Sequence, residues 1–166
     1  MSKSLLIIGC GFIGKYFLNH FADSFDEITT TSTRSIPHTK SKTHISFNMY
    51  DSNIPHFPKS DIALITLPFS RQLRTPTDYT NAIETISKRI PQSSKVIFTS
   101  STGIYPFLNT WVDETSATDT TSRARALEKC ENNLLSAFKT CHILRLAGIC
   151  GYERNSHTKL SKKIIY

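Results

Sequence analysis

The sequence predicts an α/β fold in which helices cover both faces of an open parallel sheet of about six strands. Short segments rich in apolar and β-branched residues alternate with segments whose apolar residues recur at helical spacing. A glycine-rich turn joins the first predicted strand to the first predicted helix. The 166 residues, of which 39% are hydrophobic and 20% charged, suffice for one compact domain.

The predicted strands follow from short runs bounded by turn residues. Ser4–Ile8 is an unbroken apolar run, which is typical of a strand buried on both faces of a parallel sheet. Pro68 stops the fourth run, because proline cannot continue a central strand. The further predicted strands are Glu27–Thr33, Ile45–Phe47, Asp61–Leu67, Lys95–Thr99 and Cys141–Leu146.

Apolar stripes at helical spacing predict the helices between these strands. Right-handed crossovers then place the helices on both faces of the sheet. His20 lies on the first stripe, so we expect its side chain to be partly buried. The stripes are Ile13, Tyr16, Phe17, His20 and Phe21; Tyr79, Ala82, Ile83, Ile86 and Ile90; and Leu127, Cys130, Leu134, Leu135 and Phe138.

Composition and charge exclude several function classes. The 20 Lys and Arg against 13 Asp and Glu give a net charge of +7, but the basic residues are scattered without interleaved aromatics. We therefore expect no nucleic-acid partner, although a positive field attracts a phosphorylated ligand. The histidines lack metal-ligand spacing, so no metal is expected.

The cysteine and hydropathy patterns favour a reduced, cytoplasmic protein. The four cysteines, at positions 10, 130, 141 and 150, form no C-x-x-C pair. The N-terminal apolar run is broken by glycines and Lys15 long before the roughly 20 residues of a membrane span, and no cleavage pattern follows it. We expect no membrane partner.

The glycine-rich turn predicts a dinucleotide site. Gly9, Gly11 and Gly14 form G-x-G-x-x-G directly after a strand and before a helix, which is the context that makes this motif specific. Gly9 permits the tight turn, Gly11 lets a diphosphate approach the backbone, and Gly14 lets the helix pack close to the sheet. The helix N-terminus, including Phe12 and Ile13, presents free amides and a partial positive charge to the diphosphate. The predicted fold is therefore of the Rossmann type.

The end of the second strand favours NADP over NAD. An acid about 20 residues past the glycines would bind the adenosine ribose, but Asp26 and Glu27 precede the strand instead. Arg34 stands where a guanidinium can clamp a 2′-phosphate, and the hydroxyls of Thr31 and Thr33 lie nearby. The alternatives are that NAD is the cofactor and that Arg34 is only a solvated loop charge.

Four segments beyond the glycines carry a further signal. They are Thr-Leu-Pro at 66–68, Ser-Ser-Thr-Gly-Ile-Tyr-Pro at 100–106, Val-Asp-Glu-Thr at 112–115 and Leu-Arg-Leu-Ala-Gly-Ile at 144–149. Together with the glycines, from about Leu5 to Asn155 and in the same order, they resemble the NAD-dependent epimerase/dehydratase family, the extended and atypical branch of the short-chain dehydrogenases. The resemblance implies a domain that binds NAD(P) and transfers hydride to or from a sugar nucleotide or another small carbonyl or alcohol.

The resemblance also implies site residues. Leu67 and Pro68 would line the cofactor, and Ser101 would hydrogen-bond the reacting oxygen. The family's tyrosine and the lysine four residues later correspond to Arg123 and Leu127, so its usual acid–base dyad is missing.

Three side chains near these positions are candidates for binding an anion or donating a proton. Arginine stays protonated at neutral pH, so neither Arg123 nor Arg125 can be a general acid, although either can bind an anion. Tyr105 is the candidate proton donor, with a pocket-lining role as its alternative.

Several other candidates are given structural interpretations. Cys10 is expected to pack beneath the glycine loop rather than react. Adjacent Asp113 and Glu114 are interpreted as loop-surface or capping residues rather than an acid–base pair. Residues 106–121 follow the fifth strand, where open α/β sheets place ligand-binding loops.

Residues 1–151 are predicted to form the NAD(P)-binding domain, and residues 152–166 a short basic remnant of a substrate lobe. The chain is then a fragment, a natural truncation, or one that borrows a wall from a partner subunit, and its exposed flanks would favour a homodimer. Desolvation around a hydride donor depends on enclosure, so turnover is in question. The alternatives to an enzyme are a non-catalytic nucleotide sensor or scaffold and an unstable remnant.

Overall fold

The computed structural model describes residues 3–34, 39–69, 75–107 and 109–151. Within them lie six strands, three α-helices and short 3₁₀ turns at Ala22–Ser24 and Thr102–Ile104. In chain order the elements are β1 (Ser4–Ile8), α1 (Phe12–Phe21), β2 (Glu27–Ser32), β3 (Thr43–Ser46), β4 (Ile62–Ile65), α2 (Pro76–Ser87), β5 (Lys95–Ser101), α3 (Ser122–Ala137) and β6 (Cys141–Leu146).

The six strands form one parallel sheet in the order β3-β2-β1-β4-β5-β6. Leu5 of β1 is in register with Ile28 on one side and Ile62 on the other. The strand order reverses between β1 and β4, and ligands of open α/β sheets bind at the carboxyl end of such a reversal. The predicted Rossmann-type α/β fold is confirmed.

Each face of the sheet has its own core. Helices α2 and α3 pack on one face, where Leu6 and Ile8 of β1 meet Ile83, Ile86 and other apolar residues. Helix α1 packs on the other face, where Leu5 and Leu64 join a smaller cluster with Leu18. Because β1 is buried on both faces, alternate residues of one strand supply both cores.

The helices begin earlier than their apolar stripes predict. Helix α2 begins at Pro76, and the Thr75 side chain accepts a hydrogen bond from the Asp78 amide while Asp78 bonds back to Thr75, a capping box. Helix α3 begins at Ser122 and is capped by Thr121. A cap provides acceptors for the free amides of the first helical turn. The polar residues before each apolar stripe are therefore helical as well.

The predicted apolar stripe of α1 was wrong in part: Phe17 is half-buried and packs against the smaller cluster, but three of the five stripe residues are exposed. Helix α1 buries Leu18 and Gly14, whereas Tyr16 and Phe21 are 59% and 48% exposed. His20, expected to be partly buried, is exposed and stacks on the Tyr16 ring at 4.1 Å between centroids. A Cβ at Gly14 would lie 3.0 Å from Cγ2 of Ile7, so the glycine lets the face of α1 that carries Leu18 approach β1 closely.

The connection from β3 to β4 contains no helix, and all of its residues are described. Phe47, Met49, Ile54 and Phe57 are nevertheless buried and cover that part of the sheet. Phe47 and Phe57 meet edge to face with centroids 5.6 Å apart. Helices therefore lie on both faces as predicted, with α1 on one face and α2 and α3 on the other.

Among the described residues, no helix combines the length and the apolarity that crossing a membrane requires. Residues 152–166, which we predicted to be a separate basic segment, lie outside the described residues.

Candidate functional site

The glycine turn after β1 adopts a conformation that only glycine accepts comfortably. Gly9 has φ +89°, in the left-handed region. A Cβ added there would lie 2.8 Å from Cδ2 of Leu67, which follows β4. Both the turn and the close approach of the two strand ends therefore require Gly9.

Side chains from the flanking strands hold this turn in place. The Gly9 amide donates to Oγ1 of Thr31 at 2.9 Å, and Oγ1 of Thr66 donates to the Gly9 carbonyl at 2.5 Å. The Cys10 amide donates to the Thr31 carbonyl at 2.6 Å. Thr31 is fully buried in this role, so its hydroxyl orients the glycine turn rather than facing a cofactor phosphate as we expected.

The thiol of Cys10 packs beneath the turn. Its side chain is buried, and burial raises the pKa of the thiol. A raised pKa keeps the thiol protonated at neutral pH, so the expected packing role fits the structure better than a reactive one.

The remaining glycines leave room for a ligand at the start of α1. A Cβ at Gly11 would have only the Gly9 carbonyl oxygen near it, at 3.9 Å, whereas a Cβ at Gly14 would lie 3.0 Å from Cγ2 of Ile7. Gly11 therefore faces open space and Gly14 faces the sheet. The amides of Phe12, Ile13 and Gly14 belong to the first turn of a helix, where no intrahelical acceptor exists. This arrangement fits a diphosphate.

Arg34 and Thr33 are exposed just beyond the carboxyl end of β2. The Ser32 hydroxyl bonds both the amide and the carbonyl of Arg34, at 3.2 and 2.9 Å. Nε2 of His44 lies 2.8 Å from the same carbonyl. Two neighbouring strands thus fix the backbone that carries the guanidinium.

The acids of this region lie at the opposite end of β2. Asp26 accepts a hydrogen bond from the Lys3 amide at 2.7 Å, and Glu27 pairs with Lys42 at 3.0 Å. A strand of six residues is about 20 Å long, so neither carboxylate reaches the glycine turn.

The segment after β4 connects the glycine turn to a second region of the site. The buried Tyr79 hydroxyl donates to the Leu67 carbonyl at 3.1 Å, and burial raises the pKa of this phenol well above its usual value. Pro68 is exposed beside it. Phe69 then packs edge to face on Tyr79, with centroids 4.8 Å apart.

A cavity of about 700 Å³ lies beyond Phe69, beside the end of β5. Tyr105, directly after the 3₁₀ turn, and Arg123 of α3 line it, and the described part of the predicted ligand loop 106–121 forms another wall. Its volume is within the range of small-molecule sites. Further lining residues are Pro106, Phe107, Thr110, Val112, Asp119 and Thr121.

Ser101 ends β5 next to this cavity. Its Oγ accepts a hydrogen bond from the Gly103 amide at 3.1 Å and so begins the 3₁₀ turn. An ideal Cβ at Gly103 would lie 3.3 Å from this Oγ and 3.4 Å from Nε of Arg123. Oγ of Ser101 and Nε of Arg123 therefore both pack against Gly103.

Tyr105 is held by a buried ionic network. Nη1 of Arg145 donates to the Tyr105 hydroxyl at 2.7 Å, and Nη2 pairs with Glu131 at 2.8 Å. Glu131 is only 3% exposed and also accepts a hydrogen bond from Ser100 at 2.5 Å. The hydrogen bond to Glu131 raises the pKa of Arg145, with a smaller contribution from Tyr105.

Sequence reasoning missed Ser100, Glu131 and Arg145 as parts of the site. A signal was present, because Glu131 occupies a buried position of α3 next to Cys130. An acid on a buried helical face needs a partner, and β6 places a single cation, Arg145, within its strand. Only the packing of α3 on β6 shows that these residues meet.

The structure locates the two residues that the resemblance aligned with the family's acid–base dyad. Leu127 is 1% exposed in the main core, so that position adds an apolar contact. Arg123 stacks over Phe69, with Cζ 4.6 Å from the ring centroid. Arg125 is exposed and does not line the cavity, which separates the two arginines that were equivalent candidates in the sequence.

Asp113 organises its own loop. Its carboxylate accepts hydrogen bonds from the amide and the hydroxyl of Thr115 and from the Ser116 hydroxyl, and these bonds lower its pKa. Glu114 is exposed, and its carbonyl lies 3.5 Å from Arg145. The favoured loop interpretation of this pair fits the structure.

No protein-family model and no curated protein sequence matches this chain. Solved structures do match. MoeE5 in complex with UDP-glucose and NAD has a TM-score of 0.72 and 18% identity, over 96% of this chain and 59% of MoeE5. The enzyme WbmH from Bordetella bronchiseptica, solved with NAD⁺, has a TM-score of 0.67 and 16% identity, over 98% of this chain and 63% of WbmH.

A Methylobacillus flagellatus protein named for the NAD-dependent epimerases/dehydratases gives a TM-score of 0.72 at 22% identity, over 98% of this chain and 60% of that one. The chain thus spans less than two thirds of each of these proteins. At these identities the likeness establishes the fold, and it confirms the fold that the sequence resemblance implied.

Proposed function

We propose that this chain binds NADP in the crevice between β1 and β4 and forms the nucleotide half of an oxidoreductase of the epimerase/dehydratase type. The observation that carries this proposal is the open space at Gly11 beside the first turn of α1. The backbone amides of Phe12 and Ile13 would hold the diphosphate there. A bound nicotinamide supplies a hydride donor or acceptor.

The end of β2 supports NADP over NAD. The exposed Arg34 follows the strand, and both nearby acids lie at its other end. A guanidinium binds a phosphate with two parallel hydrogen bonds, whereas an acid at this end would repel it. Thr33 would add a hydroxyl, and Leu67 and Pro68 would line the cofactor from the β4 side.

The substrate we propose is a sugar nucleotide or another small carbonyl or alcohol compound. MoeE5, a fold neighbour, was solved with UDP-glucose, and the cavity of about 700 Å³ beside β5 has a suitable size. Ser101 would hydrogen-bond the reacting oxygen. Tyr105 would supply the proton, since Arg145 donates to its oxygen and leaves the phenolic proton directed elsewhere.

A second candidate function is a non-catalytic nucleotide-binding module. The observation that favours it is the buried Leu127 and the permanently charged Arg123 at the positions of the family's acid–base dyad. Turnover separates the two functions. A protein that binds NADPH yet oxidises none of it with sugar nucleotides, aldehydes or ketones would support the module.

Calorimetric titration with NADPH and NADH, side by side, tests the cofactor proposal. We expect NADPH to bind more tightly, and Arg34→Ala to weaken NADPH by about 10- to 100-fold with no change for NADH, because a hydrogen bond to a charged group contributes about 1.5–3 kcal/mol. Lys59→Ala removes an exposed cation before β4 and serves as the control. Equal weakening of both coenzymes would refute the 2′-phosphate role.

Turnover of any accepted substrate tests the role of Ser101. Ser101→Ala should lower kcat by about 100-fold, the typical loss of one donor to a developing oxyanion, while NADPH affinity is retained. Steady-state kinetics beside calorimetry on the same preparation would measure this. An unchanged kcat would remove Ser101 from the mechanism.

A further inference from the structure

The strand β3, at one edge of the described sheet, places a histidine ring beside the carboxyl end of β2. His44 is half-buried and stands in register with Thr30. Its Nδ1 lies 2.9 Å from Oγ1 of Thr30, and its Nε2 lies 2.8 Å from the Arg34 carbonyl oxygen and 3.3 Å from Oγ of Ser32. The imidazole therefore bridges the middle of β2 and the residue that we assign to the 2′-phosphate.

Both nitrogens of the ring are engaged, so the ring has one orientation. Thr30 is fully buried, which places its contact with Nδ1 inside the protein. A carbonyl oxygen only accepts hydrogen bonds, so Nε2 carries a hydrogen and donates it to Arg34. The ring cannot turn about its Cβ–Cγ bond without losing these contacts. It is therefore a rigid link between the buried part of β2 and the Arg34 backbone.

The backbone pairing between β2 and β3 ends before Arg34. The Phe47 amide donates to the carbonyl of Ser32, the last residue of β2, at 3.0 Å. Further along, the Ser32 hydroxyl accepts from the Arg34 amide and donates to its carbonyl. Ser32 belongs to the same short segment and moves with it, whereas His44 comes from another strand. His44 is thus the side chain that ties the exposed Arg34 to the rest of the sheet.

We propose that His44 is a positioning residue for the 2′-phosphate of NADP, because it holds the backbone that carries the Arg34 guanidinium. The inference rests on the proposed function, which assigns the 2′-phosphate to Arg34. A segment that is ordered before the ligand arrives loses less conformational entropy on binding. NADH has no 2′-phosphate, so its affinity does not depend on this order. His44 therefore acts on the choice between the two coenzymes, and it acts through Arg34.

Two carboxamide variants separate the roles of the two ring nitrogens. The amide nitrogen of Gln extends about as far from the backbone as Nε2, whereas that of Asn extends only as far as Nδ1. His44→Asn should weaken NADPH by about 5- to 30-fold, which corresponds to ordering the backbone of one residue, and leave NADH unchanged. His44→Gln retains a donor for the Arg34 carbonyl and should restore most of the NADPH affinity. Calorimetric titration with both coenzymes measures these affinities.

A double variant tests whether His44 acts through Arg34. In the Arg34→Ala background, His44→Asn should change NADPH affinity by less than about 2-fold, because the guanidinium that it positions is gone. His142→Asn is the matched control, since it removes an exposed histidine from β6 at the opposite edge of the described sheet. We expect no change in the affinity of the control for either coenzyme.

Melting temperatures are measured first, and His44→Phe, which keeps a ring without either nitrogen, replaces His44→Asn if that variant does not fold. The positioning role is overturned if the variant binds NADPH as tightly as wild type, weakens NADH equally, or keeps its full effect in the Arg34→Ala background. Wild-type protein that binds NADPH no better than NADH refutes the proposed cofactor, and this inference with it. A preference for NADPH that depends on Arg34 but survives His44→Asn overturns the role of His44 alone.

Discussion

The glycine turn and the cavity beside β5 are built in different ways, although the segment Thr66–Phe69 contributes to both. At the glycine turn, the Thr66 hydroxyl donates to the Gly9 carbonyl, and the backbone amides that begin α1 lie beside the open space at Gly11. At the cavity, Phe69 supports the side chain of Arg123. The first region offers main-chain groups to a ligand, and the second offers side chains from several elements.

This difference explains why the sequence predicts the glycine turn more completely than the cavity. A backbone site needs only residues that permit a conformation, and three glycines at fixed spacing suffice. A side-chain site depends on which elements pack together. Tyr105 follows the 3₁₀ turn and Arg123 belongs to α3, yet both line the cavity, and Arg145 of β6 holds Tyr105 there. No local pattern in the sequence predicts that these three elements meet.

The largest effect on stability is expected at the Arg145–Glu131 pair, because Glu131 is buried behind the cavity wall. Arg145→Met leaves the buried Glu131 carboxylate without its cation and should reduce the free energy of unfolding by about 3–5 kcal/mol. Urea denaturation measures the loss. Lys88→Met breaks the exposed pair with Glu84 and should cost under about 0.5 kcal/mol. Similar losses in the two variants would mean that the Tyr105 wall is not anchored by this network.

The backbone region should respond in binding rather than in stability. Gly11→Val places a side chain in the space that we assign to the diphosphate and should weaken NADPH by at least about 100-fold, or about 2.7 kcal/mol. The melting temperature should change little, because nothing crowds this position. Gly148→Val is the control for calorimetry, because a Cβ added at Gly148 would have no other atom within 4 Å. Retained affinity in Gly11→Val would overturn the assignment of the turn.

A smaller effect should come from the bond that joins the two regions. Thr66→Val keeps the shape but loses the donor to the Gly9 carbonyl, so unfolding should become easier by about 1 kcal/mol. NADPH affinity should fall severalfold in the same calorimetric experiment, because the turn is less well oriented. Thr85→Val is the control, because it removes an exposed hydroxyl that donates to the Asn81 carbonyl within α2. Unchanged affinity would show that the turn is rigid without β4.

The smallest effect concerns the thiol beneath the turn. Burial raises the pKa of Cys10, so its reactive thiolate is scarce at pH 8 and its alkylation should be at least about 10-fold slower than that of the exposed Cys150. The same sign holds for Cys130, whose pKa burial raises to about 12. Peptide mass spectrometry after timed alkylation measures both rates. Equal rates at Cys10 and Cys150 would mean that the turn opens readily.

The sequence predicted the type of each strand and helix more accurately than it predicted which face of a helix is buried. All six strands and three helices of the described residues were anticipated, because apolar periodicity and turn residues are local signals. The outward face of α1 was not anticipated. Tyr16 and Phe21 are apolar enough to suggest a buried stripe, yet the face of α1 with Gly14 and Leu18 is the buried one, and this leaves them exposed.

The sequence by itself determined the parallel α/β architecture, the glycine turn and the absence of a tyrosine–lysine pair. These properties depend on spacing along the chain and on residue identity alone. Tertiary structure decided that Thr31 orients the turn, that Glu131 meets Arg145, and that Arg123 but not Arg125 faces the cavity. Such choices depend on contacts between residues far apart in the chain, which exist only after the helices have packed on the sheet.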